Sequence, residues 1–418
     1  MVEDWLGNPI SGGAPATIAA MDRFSHRLLT FDGGTGEILD AAEADPDCVL
    51  ANLLAAALCI LGQDSADRRD ARAFLDRAAA ALNPTGTSSD RTGNPAHDPA
   101  RAREHRLYAA LEAWQARDWA AALDRFEDLA RHHPRDLVAV LLGTTLANTA
   151  GDNDRLWRLP DMALKGASDI GYTWGMLAFG LEECGRIDEA DAAGRKAIAL
   201  DPVDPGAHHA LAHVFVSRGD MAGGACWMED HRAGWAECSG ALRTHNWWHT
   251  ALFHLALDRH QRVLAIYDDH IAPRLGTAGG AQNAIGLLSR LGLRGIAVGE
   301  RWQAVAAAIR QDLPAHRRPF LDLLYVHALG QARETGAMDG HVRDITRYAE
   351  ASADAIRPTW HDVVLPAARA LAAYGRGEWR AAAALAAMAG DLPRVGASNE
   401  ERQVLLSIAD DARRRISA

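Results

Sequence analysis

The chain has 418 residues, 48% of them hydrophobic and 24% charged, and carries a formal net charge of −11. Those values describe a globular protein, long enough for two or three domains or one long repeat array. The acidic balance excludes a general nucleic-acid or anionic-membrane binder, which needs a basic face. The positive charge is almost all arginine, since Lys165 and Lys196 are the only lysines. Five cysteines form no C-x-x-C pair, so reduced thiols in a cytoplasmic protein are expected and a cysteine zinc site is not. The opening Met1-Val2-Glu3-Asp4 lacks a signal-peptide pattern. The longest apolar run, 48–61, is interrupted by Asn52 and is too short to span a bilayer.

Apolar residues recur at three- and four-residue steps almost throughout, which predicts an all-α chain. The first helices are expected over 16–31, 37–43, 48–61 and 66–82. The stretch 83–99, rich in Pro, Gly, Ser and Thr, reads as a mobile loop or linker. Residues 103–134 read as two helices ending in His132-His133-Pro134, with Ala122 and Phe126 spaced for helix packing. Residues 137–149 and 154–168 supply a degenerate unit. In 172–202, Trp174, Leu177, Gly185, Ala190, Ala197 and Pro202 fall where a tetratricopeptide repeat puts its large, small and terminating residues. Small residues let two helices approach, large ones fill the groove, and proline stops the second helix.

The expected fold class is therefore all-α, with tetratricopeptide-like helix-turn-helix repeats stacked into a right-handed superhelix. Three segments are expected: N-terminal helices ending in a loop (1–99), repeats carrying a His/Trp pocket (100–275), and degenerate repeats with a capping helix (276–418).

Continuing the register from Pro202 puts Pro205 at the first position of the next unit. His209 and His213 then fall at its fifth and ninth positions, and a unit starting at Ala241 puts His245 and His249 at the same two. In this repeat class those positions line the concave side, so both i, i+4 pairs are expected on one lining from adjacent helices. Downstream, the unit should stop at 271–273. Helices follow over 284–293, 301–313, 320–331, 341–353 and 362–373, then a repeat-type second helix over 375–389. A terminal helix over 398–417 carries Ser398 and Glu401, spaced for a capping box.

Several runs resemble the tetratricopeptide repeat protein 38 family: His209 through Ala212-His213, His245-Asn246-Trp247-Trp248-His249, Ile266-Tyr267-Asp268-Asp269-His270-Ile271, Val298-Gly299-Glu300-Arg301-Trp302, and Ser398-Asn399-Glu400-Glu401-Arg402. The resemblance runs from about Arg103 onward and implies an α-helical repeat fold; it implies no particular activity. The chain departs from the family's pattern at Thr144 and Leu324, where polar residues such as histidine are expected, and at Asn283, where aspartate is expected.

The four histidines leave three readings open: a divalent transition-metal site, a metal-free ligand or catalytic pocket, and hydrogen-bonded core packing. Imidazole suits Zn, Fe, Ni or Cu, and Glu182, Asp268 or Asp322 would complete a shell. Histidine also serves as general base or acid near neutrality, with Asp268 or Asp322 beside it. No H-E-x-x-H, G-x-S-x-G or P-loop pattern accompanies them. No cofactor is predicted from the motifs; a divalent metal is the one the histidines admit.

The favoured expectation is a pocket for a small organic ligand, walled by His209, His213, His245, His249, Tyr267 and Asp268. Phe179, Glu182, Asn246 and Asp322 extend the ligand-binding set. Trp235 is expected to overhang the pocket and stack on a flat ligand, while Trp247 and Trp248 are expected in the core. Such a pocket would support hydrolase- or lyase-type chemistry by histidine acid–base catalysis. The contrasting expectation is a scaffold that grips a peptide or partner protein. Expected partners are thus a small molecule or peptide, not nucleic acid or membrane, and a homodimer is compatible.

Overall fold

The computed structural model describes residues 2–62, 71–82, 98–238, 240–313, 316, 318–352 and 354–417. The expected loop over 83–99 lies outside them except for Asp98 and Pro99, as does 66–70 of the helix predicted before it. Packing divides the chain into two compact units. Unit 1 is 1–147, 154–211 and 237–240; unit 2 is 148–153, 212–236 and 241–418.

Unit 1 opens with a short antiparallel pair, β1 (Val2–Glu3) and β2 (Pro9–Ile10), which sequence periodicity did not reveal. Its helices are α1 (Pro15–Leu29), α2 (Glu37–Ala44), α3 (Val49–Gly62), α4 (Ala71–Leu82), α5 (Pro99–Gln115), α6 (Trp119–His132), α7 (Leu137–Ala150), α8 (Asn153–Ala167), α9 (Gly171–Glu183), α10 (Ile187–Leu200) and the first half of α11 (Pro205–Ser217). Consecutive helices pair as hairpins: α3 with α4, α5 with α6, and α9 with α10.

Local chemistry explains these boundaries. Asp98 caps α5 by accepting from the Ala100 and Arg101 amides, with Pro99 at the first position, where a missing N–H costs nothing. In α3 the single polar interruption turns inward on its own helix: Asn52 Nδ2 donates to the Cys48 carbonyl at 2.8 Å. Arg103, 3% exposed, bridges Asp4 at 3.1 Å and Asp136 at 2.6 Å, and so ties the N-terminal hairpin to α5 and α7. The α9–α10 turn passes through Gly185 at φ +74, where L side chains are disfavoured.

Where α8 meets α9, Gly180 has no room for a side chain: a Cβ would sit 2.5 Å from the Trp157 Cα and 2.6 Å from the Leu156 carbonyl. Backbone cannot yield as a rotamer can. Gly180→Ala is therefore expected to cost unit 1 about 3 kcal/mol, read as a lowered urea midpoint.

Unit 2 holds the second half of α11, then α12 (Met221–Asp230), α13 (Arg232–Trp235), α14 (Ala241–Ala256), α15 (His260–Ile266), α16 (Ala278–Leu293), α17 (Arg301–Ile309), α18 (Pro319–Gln331), α19 (Thr335–Ala351), α20 (Arg357–Thr359), α21 (Leu365–Gly375), α22 (Trp379–Ala382) and α23 (Asn399–Ser417). From Thr244 to Leu255 only His245 keeps appreciable exposure, so α14 is the core helix of this unit. It packs on α12, α15 and α16, and α16 carries α23.

Two segments depart from expectation. The unit does end close to the predicted 271–273, but through a π-helical turn, Tyr267–Ile271, and a 3-10 turn, Ala272–Arg274, in place of a plain helix end. The repeat-type helix predicted over 375–389 is only α22 followed by a 3-10 stretch, Ala383–Met388. The capping box holds: the Glu401 amide donates to Ser398 Oγ at 3.2 Å, and the Ser398 amide donates to Glu401 Oε2 at 2.8 Å. No helix among the described residues is long and apolar enough to cross a membrane.

Candidate metal centre

Three imidazoles meet in unit 2. His213 comes from α11, and His245 and His249 come from successive turns of α14. Each offers a ring nitrogen within 4.8 Å of the others. The His213 and His249 ring centroids are 4.5 Å apart, and those of His245 and His249 are 4.8 Å apart, both edge-on. His213 and His249 are buried, while His245 is half-buried.

The support around the rings is specific. His245 Nδ1 lies 2.8 Å from Asn283 Oδ1, which can only accept. Nδ1 therefore carries the proton and Nε2 the lone pair. Trp248 stacks on the same imidazole at 5.0 Å, and the Arg290 guanidinium lies over Trp248 at 5.2 Å. Arg290 in turn bonds Glu400 at 3.1 Å, which fixes α23 against α16. Burial holds the His245 pKa below the usual imidazole value, although the Glu401 charge and the Asn283 bond pull it up.

Glu401 is the residue that sequence reading missed here. It was read only as a helix cap. Its Oε1 accepts from Gln282 Nε2, a residue 119 positions away and next to Asn283. Burial pushes its carboxyl up, but His245, the Ser398 amide, Gln282 and His213 together hold it below the ordinary glutamate value. Glu401 is thus a buried carboxylate with a neutral donor on each oxygen, the Ser398 amide on one and Gln282 on the other. The Ser398-x-x-Glu401 spacing signals a cap and nothing more, because the second role depends on how α16 meets α23.

The other expected site residues divide between the two units. His209 lies one turn before His213 on the same unbroken helix, half-buried, with the Phe179 ring 5.1 Å away. Glu182 is buried on α9 in unit 1. Asn246 is buried on α14. Tyr267 is buried in the π-helical turn beneath Arg301, and burial raises its pKa.

Asp268 was expected beside a histidine, but its carboxylate is exposed and clamped by Arg301 at 2.6 and 2.9 Å. Asp322 does sit between histidines, but they are His316 at 2.9 Å and His341 at 3.2 Å. Trp235 does not overhang a pocket. It is fully buried, donates Nε1–H to the Met228 carbonyl at 3.1 Å, and meets Trp247 edge-on at 5.1 Å. A large aromatic on a short helix finds its area in the nearest core, and the neighbouring tryptophan supplies it. Trp247 and Trp248 are core residues, as expected.

The start of α11 is itself electrostatically unusual. Asp204 Oδ1 accepts from the Gly206 and Ala207 amides at 2.8 and 3.2 Å. Its Oδ2 is buried and accepts no hydrogen bond among the described residues. Burial pushes its pKa up to about 7. A folded value above the unfolded one means the folded state holds the proton more tightly. Stability from this group is therefore fullest below pH ~4 and is lost as pH rises through about 7. Asp204→Asn keeps the Oδ1 acceptor without the charge. It should gain about 1–3 kcal/mol over the parent at pH 8 and flatten the loss between pH 4 and 7, measured as urea midpoints across that range.

No family model matches the chain. Among solved structures it is similar to a monomeric mutant of IFIT1 with Gppp-AAAA, at 12% identity over 100% of this chain and 90% of that one, with a TM-score of 0.42. A likeness of that degree decides neither partner nor activity.

Proposed function

We propose that this helical protein binds a divalent transition-metal ion on the imidazoles of His213, His245 and His249. The observation that carries the reading is the convergence of three ring nitrogens, one of them on a ring held in place by Asn283. A buried carboxylate is costly alone, and a cation among the nearby rings would compensate it. Three imidazoles from unit 2 do not fill the shell of such an ion and leave room for a further donor. When bound, such an ion supplies Lewis acidity or an acidified water.

The partner that fits this centre is a small organic ligand with a donor atom for the open position. A peptide groove would instead favour basic and amide side chains along the lining. The motif runs around these histidines also support placing the chain with the tetratricopeptide repeat protein 38 family.

A second reading rests on the His245–Asn283 bond. The same bond that readies Nε2 for a metal readies it as a general base in a metal-free pocket. Elemental analysis of full-length protein from zinc-, iron- or nickel-supplemented cells separates the two. About one ion per chain supports the metal centre. A protein that stays metal-free and takes up none on titration overturns it.

A further inference from the structure

The metal reading leaves one neighbouring group unexplained. Glu401 is 8% exposed, lies at the first turn of α23, and caps that helix with only part of its bonding capacity. Its other oxygen is taken by Gln282. Gln282 and Asn283 are consecutive on α16, and Asn283 holds the His245 ring. One short piece of α16 therefore grips the carboxylate with one residue and the imidazole with the next. A helix cap alone needs neither burial nor a long-range amide partner, because exposed caps work with water on their free oxygen.

We propose that Glu401 is the positioning carboxylate of the centre: it balances the charge of the bound divalent cation from outside the ligand shell. Through the Gln282–Asn283 step it also keeps His245 in the tautomer that presents Nε2. The proposal rests on the metal reading. Glu401 does not belong to the group of ring nitrogens within 4.8 Å, so it acts through those rings and not as a ligand. Outer-shell partners of ligating histidines commonly change metal affinity by about 10–100-fold when removed. A full negative charge behind the rings also favours a divalent ion over a monovalent one, since the attraction scales with the product of the charges.

The test titrates cobalt(II) into the metal-free, full-length protein and reads the visible d–d bands and the affinity. Glu401→Gln should lose about 10–100-fold in cobalt affinity and shift the bands, while the metal-free protein keeps its circular dichroism. Glu401→Asp should recover part of the loss. Ser398→Ala, which breaks the cap bond but keeps the carboxylate, should bind cobalt as the parent does. Should Glu401→Gln not fold, Gln282→Ala removes the carboxylate's anchor and should also weaken cobalt binding.

Parent-like affinity and bands in Glu401→Gln would overturn the proposal and leave the metal centre standing. So would an equal loss in Ser398→Ala, which would assign the effect to helix capping. A parent protein that binds no cobalt removes both ideas together.

Discussion

The His245→Ala/His249→Ala double variant should purify with helix content intact and with its metal gone. Four-ligand structural zinc sites are worth roughly 10–16 kcal/mol in apparent binding free energy, about 2.5–4 per ligand. Removing two of three imidazoles should then cost at least about 5 kcal/mol, well over a thousandfold in affinity. Metal content by elemental analysis should fall from about one ion per chain to a trace. The fold should survive, because α14 is held by Trp247, Trp248, Phe253 and Leu255, all buried and all untouched. His249 is fully buried, so its truncation leaves a small void costing about 1–3 kcal/mol. The single His245→Ala, at the half-buried position, is the gentler control. Loss of circular dichroism in the double variant would show instead that the imidazoles hold the core together.

Asp322→Ala should do the opposite, with a large loss of stability and an unchanged metal content. Asp322 is completely buried, and its Oδ1 faces His316 at 2.9 Å and His341 at 3.2 Å. The two imidazole rings lie parallel, 5.7 Å apart, with Tyr348 stacked on His316 at 4.7 Å. Those bonds hold the carboxyl below the ordinary aspartate value against the burial that raises it. Removing one member of a buried polar cluster strands the others, at a typical cost of about 3–5 kcal/mol. Denaturant unfolding of the variant measures this, and elemental analysis on the same sample checks the metal. A variant that keeps its stability and loses its metal would return Asp322 to the metal centre, as one sequence-based expectation had it.

These contrasting outcomes show how far residue spacing reaches. His245 and His249, like His209 and His213, are paired by the i, i+4 repeat of a helix. That repeat is a local property, visible without coordinates. The hairpin of α9 and α10 was equally legible, because Gly185, Ala190, Ala197 and Pro202 act over a few residues each. Aspartate next to histidine in a list of polar residues was a poorer guide. Asp268 found Arg301, which lies 33 residues away, and Asp322 found two histidines outside both pairs. A charged side chain takes whichever partner packing brings within reach, and local spacing carries no record of that.

The amino-acid sequence by itself determined the helical class, most helix boundaries, the small-residue contacts and the i, i+4 spacing that puts the two members of each histidine pair on one side of a helix. These follow from backbone periodicity, capping and proline geometry, all of which act within a turn or two. Only the tertiary structure decided that His213 meets His249, that Asn283 sets the His245 tautomer, and that Glu401 turns its carboxylate inward from a helix cap. Those contacts join α11, α14, α16 and α23 across long stretches of chain. Their energies come from burial and charge pairing in a shared interior, which exists only once the helices have packed.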